Sequence, residues 1–243
     1  MNNIMENFIF QNPTKLIFGK GMIAQLAKEI PAGKRVMVTF GGGSVKKNGV
    51  YDQVKKALAG FEVTEFWGIE SNPKVETLRE AIRLGKEKNI DFLLAVGGGS
   101  VIDGTKLISA GLLYEGDAWE LVRKGMCTET VPLAAVLTIP ATGSEMNNGA
   151  VISRKETAEK FAFYSNNPVF SILDPTVTFS LPKWQVACGI ADTFVHVMEQ
   201  YMTAPGQSRL MDRWAEGILL SLIEIAPEIV EKQDNYERMA DFM

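Results

Sequence analysis

Two apolar, β-rich runs in this chain stop at the same device, a glycine triplet followed by serine. Arg35 to Phe40 (RVMVTF) runs into Gly41-Gly42-Gly43-Ser44, and Asp91 to Val96 (DFLLAV) runs into Gly97-Gly98-Gly99-Ser100. A continuous apolar run, without the alternation of a half-exposed strand, marks a strand buried on both faces, and such strands belong to parallel sheets covered by helices. Each triplet precedes helical periodicity, over Val50 to Leu58 and from Val101 onward. This pattern predicts a Rossmann-like, doubly wound α/β sheet.

The rest of the chain extends the pattern. Segments 14–19, Phe61 to Ile69 and Val131 to Ile139 read as further strands, and Gly21 to Ile30 and Val75 to Lys88 as helices. Ala150 to Ser153, Lys160 to Ser165 and Val169 to Leu173 read as a hairpin-like excursion of short strands. After Leu181-Pro182 the strand signals cease. Lys183 to Met202 and Arg209 to Glu231 are long helical patterns broken at Ala204-Pro205-Gly206, and Asn235 to Met243 starts another. The expected organisation is a dinucleotide-binding α/β domain over 1–182 and the first helices of an all-helical domain over 183–243. So few helices cannot close a helical domain, which predicts a C-terminally truncated chain.

Composition narrows the partners. A net charge of −4 argues against a surface that tracks nucleic acid. No stretch approaches the ~20 apolar residues of a membrane span. The N-terminus lacks the basic and apolar regions of a secretory signal. Cys127 and Cys188 are too far apart in sequence for metal-ligand spacing, so a reducing, cytoplasmic location is expected. His196 is the only histidine, so a mechanism needing two or three cannot be completed by this chain alone.

Glycines let backbone approach a diphosphate, and a helix start offers free N–H groups and partial positive charge. Gly97, Gly98, Gly99 and Ser100 are therefore candidate phosphate ligands, the bland alternative being a tight turn. Gly41, Gly42, Gly43 and Ser44 supply a second such turn, and two at the ends of parallel strands define a crevice. Neither matches G-x-G-x-x-G. Ser44, Lys46 and Lys47 follow the first strand where an NAD site places a carboxylate, which predicts NADP(H). Thr138, Thr142, Ser144 and Asn147 crowd a loop after another strand, with groups suited to ribose or nicotinamide. Lys160, on a strand-like segment, is placed to reach phosphate or ribose. Asp192 and His196, four apart on a helix, share one face and offer a carboxylate and an imidazole to one metal ion. Ala191, Phe194 and Val195 around them predict a buried Asp192.

The chain resembles the iron-containing alcohol dehydrogenase family, in its NADPH-dependent aldehyde reductase and butanol dehydrogenase branch. The resemblance rests on GGGSVKKNGVYDQV (41–54), FLLAVGGGSVIDGTK (92–106), LTIPATGSEMNNGAVIS (137–153), ILDPTVTFSLP (172–182) and ADTFVHVMEQY (191–201). It implies the two-domain plan shared with dehydroquinate synthase, with the active site between the domains. It also implies pyrophosphate binding at Gly97–Ser100 with Asp103 nearby, and a cofactor groove lined by Thr138, Thr142, Asn147 and Lys160. Asp192 and His196 match the family's first two metal ligands; two later histidines lie beyond this chain. The implied activity is reduction of small aldehydes to primary alcohols, and the reverse, by hydride transfer from NADPH with Fe2+ or Zn2+ polarising the carbonyl. Alternatives are an inactive NADPH-binding fragment and a lyase of the dehydroquinate synthase type. A homodimer is expected through residues 5–19 pairing with their copy.

Overall fold

The computed structural model describes residues 7–203 and 208–243. The start of the 5–19 segment and the expected break at 204–206 lie outside the described residues. Numbered along the chain, six strands make one sheet in the order β1 (Lys15–Phe18), β8 (Phe170–Leu173), β5 (Leu133–Leu137), β4 (Phe92–Gly97), β2 (Arg35–Phe40), β3 (Glu62–Phe66). Every pairing in it is parallel. The inner strands β4, β5 and β8 are buried throughout, and β2 is buried beyond Arg35. The outer strands β1 and β3 are mixed.

Side chains alternate across this sheet. Val36, Val38, Leu94, Val96 and Val136 face the short helix α1 (Leu26–Glu29) and α2 (Val50–Ala57). Met37, Leu93, Ala95, Ala135 and Leu137 face α3 (Val75–Glu87), α4 (Gly99–Gly111) and α5 (Ala118–Lys124). A two-stranded antiparallel hairpin, β6 (Gly149–Arg154) and β7 (Glu159–Tyr164), lies against α4 and α5. Helix α4 is buried along nearly its whole length because it sits between the sheet, α3, α5 and this hairpin.

One expectation is corrected here. Val169 to Leu173 is not part of the hairpin excursion: β8 joins the main sheet between β1 and β5. Its four residues are all buried, the mark of a central parallel strand, whereas β6 and β7 carry exposed positions. The helix expected after the first glycine triplet is present, but it does not follow the triplet directly. Ser44–Lys46 form a 3-10 turn, and α2 starts only at Val50, after Gly49 at φ 78°. Helix α5 is additional to the sequence expectations. Asp117 caps it, accepting from Trp119 N at 3.0 Å, and Gly125 ends it at φ 81°. The signal was Asp117-x-x-Glu120, a carboxylate cap with an acid three residues on.

Helices α6 (Lys183–Thr203), α7 (Arg209–Glu231) and α8 (Tyr236–Phe242) bury Val186, Leu222, Ile225, Ile229, Met239 and Phe242 against one another. Phe179 and Leu181 join this cluster from the end of the α/β part. Gln233 Nε2 donates to the carbonyls of Thr178 and Leu181, each at 2.8 Å, and ties the two parts together. No helix of the described residues is long and apolar enough to cross a membrane.

Candidate functional site

From β2 the chain steps outward to β3, whereas from β4 it steps the other way to β5. The connections at the ends of β2 and β4 therefore diverge and leave a crevice at the point where strand order reverses. The crevice holds about 600 Å³. Gly41, Gly42, Gly43 and Ser44 wall it on the β2 side, Gly97, Gly98, Gly99 and Ser100 form its centre, and Thr138 and Ile139 wall it on the β5 side. Leu181, at the end of the α/β part, and Gln185 and Cys188 of α6 line it from the remaining side.

The two triplets are glycine for different reasons. A Cβ on Gly97 would lie 2.5 Å from Val101 Cγ2, and one on Gly98 2.5 Å from Ile139 Cγ2; on Gly99 it would strike Thr142 Oγ1. The loop after β5 is thus pressed onto the first turn of α4. At Gly42 and Gly43 a Cβ would meet nothing within 4 Å. Gly43 is fixed instead by φ 95°, which an L side chain rarely adopts. Helix α4 starts at the crevice centre; Val101 N and Ile102 N are taken by the Gly98 carbonyl, which leaves the amides of Gly99 and Ser100 to open there.

The lysines of the first loop lie outside this lining. Lys46 and Lys47 are both exposed, and the Lys46 ammonium sits 4.0 Å from the centre of the Trp67 ring. Trp67 in turn stacks on Phe40 at 4.0 Å. A carboxylate that sequence reasoning missed does line the crevice: Glu70 arrives from beyond β3, the strand beside β2. Its Oε1 accepts from Thr77 Oγ1 at 2.7 Å, and its Oε2 is buried without a partner. Glu70 lies about thirty positions from the end of β2 in the chain, and only strand order sets it beside that strand. Lys160 reaches the rim indirectly. It donates to Asn72 Oδ1 at 2.8 Å, and Asn72 N donates to Ser100 Oγ at 3.3 Å.

Asp103, Thr142, Ser144 and Asn147 stand behind the crevice wall rather than in it. Ser144 Oγ donates to Asp103 Oδ1 at 2.6 Å, and Val151 N donates to Asp103 Oδ2 at 2.8 Å. At their centre is Lys106, absent from the sequence candidates and fully buried. Its ammonium donates to Ser144 O (2.8 Å), Ser144 Oγ (2.8 Å), Asn147 Oδ1 (3.0 Å) and Gly149 O (2.6 Å). Burial lowers the Lys106 pKa to about 8, against the opposing pull of Asp103 and Glu145. Burial likewise raises the carboxyls of Asp103 and Glu145 above the usual range.

Asp192 and His196 lie on one face of α6, with Oδ1 and Nδ1 3.6 Å apart. The expectation of a buried Asp192 is corrected: its side chain is 43% exposed, because Phe194 and Ile190 turn toward α7 and leave this face open. His196 Nδ1 lies 2.7 Å from the carbonyl oxygen of Asp192. A carbonyl only accepts, so Nδ1 is the donor, and in the neutral ring Nε2 is the nitrogen left to act as a ligand. A carboxylate oxygen and an imidazole nitrogen suit a divalent ion such as iron or zinc. Among the described residues no group of three or more His, Cys, Asp or Glu side chains gathers to hold one.

Comparison with known proteins identifies the family. The family model for iron-containing alcohol dehydrogenase matches residues 13–175. The chain is 52% identical to the NADPH-dependent aldehyde reductase YqhD of Escherichia coli, over 98% of this chain and 63% of that protein. It is 48% identical to a probable NADH-dependent butanol dehydrogenase of Bacillus subtilis, over 96% of this chain and 62% of that one. Among solved structures, YqhD superposes with a TM-score of 0.94 at 51% identity, covering 98% of this chain and 63% of the other. NADH-dependent butanol dehydrogenase A of Thermotoga maritima does so at 0.93 with 42% identity, covering 98% and 61%. The chain thus spans somewhat under two thirds of the length of these relatives, and it belongs to the iron-containing alcohol dehydrogenase family.

Proposed function

We propose that this chain is the cofactor-binding portion of an NADPH-dependent oxidoreductase that interconverts small aldehydes and primary alcohols in the cytoplasm. The observation that carries this reading is the crevice at the strand-order reversal, with a glycine turn on each side and the start of α4 between them. We assign residues 1–182 to dinucleotide binding and 183–243 to the start of a helical, metal-binding domain. In this reading a dinucleotide crosses the sheet with its adenosine half at Gly41–Ser44 and its diphosphate at Gly97–Ser100. Its nicotinamide half then lies toward Thr138 and Ile139. Ser44 and the nearby Lys46 and Lys47 favour a 2′-phosphate. Glu70, a carboxylate that lines the same crevice, works against it, so this preference rests on Ser44 and the two lysines.

Asp192 and His196 would hold the metal, Fe2+ or Zn2+, together with ligands from outside the described residues. When bound, such an ion supplies Lewis acidity toward a substrate oxygen. The chain's own residues hold the nicotinamide half against the β5 side, and Leu181 and Gln185 exclude water from the helical side.

The test is titration of the chain with NADPH and with NADH, followed by tryptophan fluorescence. Trp67 stacks under Lys46 beside the crevice and is a built-in reporter. Tighter binding of NADPH is expected. Tighter binding of NADH would reverse the 2′-phosphate assignment. Binding of neither by a folded chain would remove the oxidoreductase reading.

A further inference from the structure

We propose that Lys106 is a positioning residue for the nicotinamide half of the cofactor, acting by holding the 138–149 loop on α4. The proposal rests on the crevice reading above.

The 138–149 loop follows β5 and forms the wall of the crevice on that side through Thr138 and Ile139. Its Thr142 rests on Gly99 and its Ile139 on Gly98, so its height sets the width of the crevice beside the start of α4. Nothing in that first stretch is strongly bonded to α4 by side chains. The anchor comes later, where Ser144, Asn147 and Gly149 all turn oxygens onto the Lys106 ammonium. Ser144 passes the connection on to Asp103, one turn nearer the start of the same helix. The loop is also held from β8, where Ser171 Oγ donates to Glu145 O at 2.6 Å.

A buried amine that merely filled space would be costly, because an ammonium out of water is stabilised only by a full set of acceptors. Here every acceptor comes from the one loop and the start of β6. None comes from the first glycine loop or from β3, which flank the adenosine half. Losing Lys106 should therefore release one wall of the crevice and leave the other in place.

The test compares two probes on the 243-residue chain and on Lys106→Met: NADPH, and adenosine 2′,5′-bisphosphate, which is the adenosine half alone. NADPH dissociation constants are expected to rise at least tenfold in the variant, with those for the bisphosphate unchanged within twofold. If NADH proves the tighter ligand, the same comparison is made with NADH and AMP. Ser144→Ala is the second variant; it keeps the lysine, removes the hydroxyl bridge to Asp103, and is expected to shift NADPH in the same direction by a smaller factor. A parallel loss of both probes would mean general destabilisation and would overturn the proposal, as would unchanged NADPH binding. Should the unmodified chain bind neither probe, the crevice reading itself fails, and this inference with it.

Discussion

Lys106 places a charge in the protein interior, and its titration sets a pH dependence of stability. In the unfolded chain the amine keeps its proton up to the ordinary lysine range; in the folded protein it is lost from about 8 upward. Between those values the unfolded chain binds more protons, so this group makes stability rise with pH across that window. Below about pH 8 both states are protonated and the cost of burial is constant. Asp103 and Glu145 have raised folded values, so what they contribute under acid conditions is lost as pH rises through those values. Urea unfolding of the wild type and of Lys106→Met, from pH 7.5 to 10, should show the wild type gaining on the variant by about 1–3 kcal/mol. Parallel curves would mean that the amine does not titrate in this range. Lys106 escaped the sequence reading because one lysine among Ile102, Leu107 and Ile108 reads as the polar edge of a helix. Its partners lie about forty positions away, and only folding brings them together.

Helix α6 rides directly on the loop that walls the crevice. A Cβ at Gly189 would lie 2.7 Å from the carbonyl oxygen of Pro140, a backbone atom that cannot rotate away. Gly189→Ala should therefore lift α6 from the loop and destabilise the chain by about 1–3 kcal/mol. Gly217, inside α7, has nothing within 4 Å of a Cβ. Gly217→Ala should stabilise by about 0.5–1 kcal/mol, because alanine restricts the unfolded chain and favours helix. Thermal denaturation of the two variants gives opposite signs if the packing is as described; a neutral Gly189→Ala would place α6 farther from the loop. Elements such as β2, β4 and α3 were legible in the sequence because long buried runs and helical periodicity are properties of one segment. Strand β8 was misplaced and α5 overlooked because each is short, and a four-residue apolar run fits a hairpin as well as a central strand. The candidates of the glycine loops were legible for the same local reason. Glu70 was not, because it depends on which strand lies beside β2.

Among the described residues two apolar regions are left uncovered, and they make different predictions for assembly. One is the outer surface of α6 and α7, where Val195, Trp214, Leu220 and Ile223 are each 58–59% exposed. The other is the edge of the sheet, where β1 has no neighbour beyond it among the described residues and Leu16 and Phe18 are each 44% exposed. Phe8, Ile9 and Phe10, just before that strand, are more exposed still, at 77–99%. An unprotected edge strand offers backbone N–H and C=O groups in register for a second copy, and a two-fold axis closes such a pairing at two chains. The helical surface offers no such register, so contact through it would not stop at a defined number. Light scattering after size exclusion should therefore give a dimer. The double variant Leu16→Glu, Phe18→Lys should convert it to monomer, whereas Ile223→Lys on α7 should leave it a dimer with less high-mass material. A dimer that survives the β1 variant and dissociates with Ile223→Lys would move the interface to the helices, and the edge strand would then be closed by something other than its own copy.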